Sequence, residues 1–112
     1  SDPYRRRQAL ATLGALAALP DEAVEAAIPL LDDEDMSVRG QAMEVLGRAA
    51  AGPQRPLVAP ALLASLRSRH AAVAVWAMED LARQPDDASR AAVRGMLRAG
   101  KQEVRNRAVE LL

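Results

Sequence analysis

The sequence predicts an all-α fold: a right-handed α-solenoid of stacked antiparallel helix pairs, with about three and a half repeats. Three observations carry the prediction. Half of the 112 residues are apolar, yet Tyr4 and Trp76 are the only aromatics, phenylalanine is absent and alanine occurs 25 times. A core of such small side chains suits close-packed helices, whereas sheets draw on β-branched and aromatic residues. The stretch from Asp35 to Gly47 has degenerate copies anchored on Ala9, Ala77 and Ala108, and with its own anchor at Ala42 the spacings are 33, 35 and 31 residues. A period in this range marks a stacked-repeat protein. The connections between helical runs are only a few residues long, with no linker, low-complexity tract or charge block.

The chain opens on the second helix of a first repeat, from Arg5 to Gly14. A first helix then runs from Asp21 to Leu31 with Val24, Ile28 and Leu31 inward. Pro20, Asp21 and Glu22 mark its start, because acids at a helix N-terminus meet the positive end of the macrodipole. Pro29 is expected to kink it near its end. The next second helix follows Asp35 and carries Val38, Ala42, Val45 and Leu46 at i, i+4, i+7 and i+8, the stripe of an amphipathic helix. Gly52 and Pro53 end it. Pro56 to Leu66 forms a first helix with Leu62, Leu63 and Leu66 inward and Pro60 in its first turn. Val73, Ala77 and Leu81 carry the stripe of the third second helix. Pro85, Asp86 and Asp87 open the run Ala88 to Arg98, with Ala92, Val93, Met96 and Leu97 inward and Gly100 as a left-handed C-cap. Val104, Ala108 and Leu111 form the last stripe.

We read residues 1–112 as a single repeat domain, a fragment or terminal domain of a longer protein, because the first repeat lacks its first helix and Leu111 and Leu112 carry no cap. Uncapped ends of this kind also allow self-association.

The Asp35, Val38, Arg39, Ala42, Leu46, Gly47 pattern, its echoes and the helix-pair period together resemble the short HEAT-like repeats of bacteria, of the type named after the phycobilisome lyases. The resemblance covers almost the whole chain. It implies a protein-binding scaffold in most cases, a chromophore lyase in a minority, and a DNA-binding solenoid in related proteins. It also implies that Asp35 and Arg39 tie neighbouring repeats through a ladder of charged hydrogen bonds. Asp2 with Arg6 repeats that spacing and Arg105 keeps the arginine, whereas Ala74 breaks one rung and His70 and Lys101 replace others.

Charge is balanced, with 15 basic and 15 acidic residues, so no global field steers the chain to nucleic acid or an anionic membrane. Cysteine is absent, which removes disulfides and thiolate chemistry. No apolar run approaches the length of a membrane span, no charged-then-apolar leader opens the chain, and the cytoplasm is the default compartment. His70, the single histidine, cannot make a usual zinc site alone, and no serine, carboxylate pair or glycine-rich loop forms a catalytic constellation. We therefore expect no enzyme, no metal and no cofactor.

The expected activity is binding. In the repeat register Leu10, Met43, Met78 and Val109 are equivalent and form an outward apolar column along the second helices. Glu44, Glu79 and Glu110 stand beside it as an acidic rail. Such a row suits a partner helix or extended peptide, and methionines adapt to irregular partners. A register off by one turn would instead place the column in the core between repeats.

Two further groups stand out. Trp76 and Asp80 lie one turn apart, with Asp80 where sister repeats have Val45 and Leu111. They either position a stacked ligand or pack structurally, with Asp80 on a neighbouring arginine. The alternative partner is nucleic acid, held by the cluster Arg5, Arg6 and Arg7 and by the stripe Arg90, Arg94 and Arg98, although no aromatics are interleaved.

Overall fold

The computed structural model describes residues 2–7 and 19–112. These residues are helical and contain no strand, so the expected all-α class holds for them. Residues 3–7 are helical (α1). Then come α2 (Asp21–Ala27), a 3₁₀ helix (Ile28–Asp32), α3 (Met36–Ala50), α4 (Arg55–Ser65), α5 (Ala71–Ala82), α6 (Asp87–Gly95), a second 3₁₀ helix (Met96–Arg98) and α7 (Gln102–Leu111). The chain forms two compact units, Ser1–Ala61 and Leu62–Leu112, with the division inside α4.

In the first unit, α3 packs on α2 and on the 3₁₀ helix that follows it. Val38, Ala42, Val45 and Leu46 are buried as their spacing predicts, together with Val24, Ala27 and Leu31 from the facing segment. Asp21 and Glu22 occupy the first turn of α2, and Pro20 is its N-cap. The turn after α3 is fastened at both ends. Arg55 Nη1 donates to the Ala50 carbonyl at 3.1 Å. Gln54 Nε2 donates to the Leu19 carbonyl at 2.6 Å and to Asp21 at 3.0 Å, tying the turn to the start of α2.

In the second unit, α5 packs on both α6 and α7. It buries Val73, Ala74, Ala77, Met78, Asp80 and Leu81, a wider arc than the apolar stripe alone, against Val93, Val104 and Ala108 of its neighbours. Asp86 caps α6 by accepting from Ser89 N at 2.8 Å, as the Pro85–Asp87 signal predicts.

Four local expectations are corrected. Asp21 to Leu31 is not one kinked α-helix: Pro29 falls in the first turn of the 3₁₀ helix, where its missing N–H leaves no hydrogen bond unmade. Pro60 lies inside α4 rather than in its first turn. Leu63 and Leu97 face out, because each lies on the outer side of the last helical turn before a loop. Gly100 is not left-handed; no described glycine has positive φ, and Ala99 ends the second 3₁₀ helix in extended backbone (φ −60°, ψ 149°).

Candidate functional site

The loops that lead into the second helices repeat one geometry. Asp35, His70 and Lys101 are the N-caps of α3, α5 and α7, all in extended backbone. Four residues later an N–H returns to each of their carbonyls, from Arg39, Ala74 and Arg105. Arg39 Nη1 then donates to the Asp33 carbonyl at 2.7 Å and the Glu34 carbonyl at 3.0 Å. Arg105 Nη1 does the same to Ala99 at 2.7 Å and Gly100 at 3.1 Å. The arginine reaches back five and six residues and clamps the loop before its own helix.

Asp35 Oδ1 accepts from Ser37 N at 2.8 Å and Val38 N at 3.2 Å, so its carboxylate works as a helix cap and Arg39 works on carbonyls. Asp2 likewise accepts from Tyr4 N at 2.9 Å. The charged tie between sequence repeats in the first unit is made by other residues. Arg6 meets Asp33 side-on, Nε to Oδ2 at 2.7 Å and Nη2 to Oδ1 at 3.0 Å, a bidentate fork that fixes orientation as well as charge. Asp33 also accepts from Asp35 N at 2.8 Å. That backbone hydrogen bond is the largest influence holding its carboxyl below the usual value of 3.8, helped by Arg6 and Arg39 and opposed by partial burial.

The expected apolar column is not continuous. Leu10 lies outside the described residues. Met43 is half-buried, and Met78 is fully buried at 0% exposure because α5 has neighbours on two sides. Val109 is 65% exposed and Leu112, one turn on, is 57% exposed. The acidic rail is also partly engaged. Glu44 pairs loosely with Arg48 at 3.5 Å on the surface of α3. Glu79 of α5 accepts from Arg107 of α7 at 2.6 Å, and Arg107 also faces Glu110 at 3.8 Å. The hydrogen bond to Glu79 raises the Arg107 pKa above its ordinary value. Arg107 was not singled out by the sequence, and its signal, an arginine facing the rail one helix away, exists only once α5 and α7 are paired.

Trp76 is half-buried on α5, while Asp80 is buried at 6% exposure in the place of Val45. Arg83 Nη2 stands 3.8 Å from Asp80 Oδ2, and Gln84 Nε2 donates to the Asp80 carbonyl at 3.1 Å. This surrounding favours the packing role for Asp80. Of the basic clusters, Arg5 is exposed, Arg6 is committed to Asp33, and the Arg7 guanidinium lies 6.0 Å from the centre of the Tyr4 ring. Arg90, Arg94 and Arg98 are all exposed along α6 and the 3₁₀ helix after it.

Among the described residues no group of three or more His, Cys, Asp or Glu side chains is placed to hold a metal ion, and no helix is long and apolar enough to cross a membrane. No known protein-family model matches the chain, and no curated protein matches it.

Proposed function

We propose that the chain is a HEAT-like repeat module whose helix pairs stack as a right-handed α-solenoid and that it binds a partner protein through a helix or peptide laid on the outer face of its second helices. The repeated N-cap and arginine-clamp geometry supports the repeat reading. The observation that carries the binding reading is the exposed Val109 on α7, followed by the acidic Glu110, which faces Arg107 in turn paired with Glu79. A short apolar strip with a charged border offers burial to an amphipathic helix and sets its orientation by charge. Met43 and Glu44 on α3 supply the corresponding strip of the first unit. The test is selection of peptides from a displayed library, followed by re-measurement with Val109→Asp and with Glu110→Lys. Loss of binding in the first and loss of preference for basic peptides in the second support the reading. Selected peptides that bind both variants unchanged overturn it.

A second reading has its own observation. The second unit carries nine basic and six acidic residues while the first carries six and nine. Exposed Arg90, Arg94 and Arg98 lie in the positive half. Retention of duplex DNA that falls steeply with added salt, and falls further in an Arg90→Ala, Arg94→Ala double variant, would favour nucleic-acid binding over the peptide reading.

A further inference from the structure

The α5 repeat has lost its clamp. Where α3 and α7 carry Arg39 and Arg105, α5 carries Ala74, and the loop carbonyls matching the clamped ones belong to Ser68 and Arg69. Two features accompany this difference. Lys101, the N-cap residue of the following repeat, sends its Nζ to the Arg69 carbonyl and takes over the duty of the missing guanidinium. An open cavity of about 350 Å³ lies against Ala74 and Ser68, the residue and one of the loop positions that a clamp here would join.

The lining of this cavity is chemically divided. Leu66, Ala74, Met96 and Val104 give it an apolar wall. Arg67, Arg98 and Lys101 also line it, all three exposed to solvent, and none of the lining residues is acidic. An ammonium has three N–H donors, and one directed at the Arg69 carbonyl leaves two for a ligand. A volume near the lower end of ligand sites suits a group about the size of one amino acid rather than a nucleotide.

We propose that the cavity beside Ala74 binds a carboxylate that carries a short apolar body. The carboxylate sits among Lys101, Arg67 and Arg98, and the body lies on Met96, Val104 and Ala74. The cationic set makes an anion the favoured guest, since charge-assisted hydrogen bonds are roughly twice as strong as neutral ones. The apolar wall distinguishes this guest from a bare inorganic anion. The site is separate from the Val109 face, so either proposal can fail alone.

The chain itself supplies the decisive variant. Ala74→Arg restores the side chain that sister repeats hold at this position, fills the cavity and leaves the rest of the loop intact. Calorimetric titration with hexanoate, hexanamide and N-acetyl-leucine on the full chain tests the proposal. Hexanoate is expected to bind saturably and hexanamide at least about tenfold more weakly. N-acetyl-leucine bound more tightly than hexanoate assigns the site to a peptide C-terminus, and the reverse order assigns it to a free acid. Ala74→Arg is expected to abolish binding with helical content retained by circular dichroism. Should that variant not fold, Lys101→Ala, on an exposed side chain, is expected to weaken hexanoate about tenfold and Lys101→Arg to recover part of it. No saturable hexanoate binding, equal binding of hexanamide, or unchanged binding in a folded Ala74→Arg overturns the proposal.

Discussion

The loop before α3 and the loop before α5 share one backbone form but differ in the side chains that clamp and cap it. Before α3, four side chains converge: Asp35 caps the helix, Arg39 clamps two carbonyls, and Asp33 joins Arg6 to the loop N–H of Asp35. Before α5, Ser68 Oγ accepts from His70 N at 3.1 Å much as Asp33 accepts from Asp35 N, but the N-cap His70 makes no side-chain cap bond, Ala74 carries no guanidinium, and Lys101 reaches across from the loop before α7. The loop keeps its backbone form without the aspartate cap and the arginine clamp. The turn is closed by backbone hydrogen bonds from Leu66, Arg67 and Ser68 to residues three back, and Ser68 Oγ holds the N–H of His70.

The comparison can be broken at its strongest point first. Asp33→Ala removes the acceptor of Arg6 and of Asp35 N together, and is expected to lower the melting temperature more than any change below. The same residue sets an acid limb. Its folded pKa lies below the unfolded value, so its contribution is complete above that unfolded value, near 3.8, and disappears as pH falls through the folded one. Thermal scans from neutral pH downward should show this loss, and Asp33→Asn should flatten it; an unchanged acid limb would remove Asp33 from the account. Next, Arg39→Ala strips donors from two carbonyls and is expected to destabilise by about 2 kcal/mol in urea unfolding. Asp35→Ala should cost about 1 kcal/mol for the lost cap, whereas His70→Asp installs a cap and should gain about 0.5–1 kcal/mol. A loss from His70→Asp would mean that the imidazole itself supports that loop. The smallest effect lies within α3: a Cβ at Gly40 would meet nothing within 4 Å, so Gly40→Ala should stabilise by about 0.5–1 kcal/mol.

The stripes of the second helices were legible because a period of 3.6 residues reports burial directly, as Val38, Ala42, Val45 and Leu46 show. Met78 was misplaced because the repeat register carries helical phase and not the number of neighbours. It sits in the same phase as Met43, but α5 has α6 and α7 on two sides and buries a wider arc. The first 3₁₀ ending was signalled only by Pro29, a residue that also fits a kink, and the second carried no distinct signal. The clamp was half visible. The recurrence of arginine at Arg39 and Arg105 could be read, but not that the guanidinium turns to carbonyls rather than to Asp35, since backbone acceptors carry no letter in a sequence. The cavity beside Ala74 was marked in the sequence only as a missing arginine.

Lys101 also changes what each helix hairpin depends on. A clamp that reaches back five or six residues closes a tiny loop and forms as soon as its own turn forms. A lysine that must come from 32 residues further along closes nothing until α7 has docked. The loop into α5 thus borrows order from downstream, as the start of α2 does from Gln54. In hydrogen exchange, the N–H groups at the start of α5 should open together with α7, whereas those at the start of α3 should keep their own schedule. The start of α5 and the docking of α7 are accordingly coupled through this contact, and each stabilises the other.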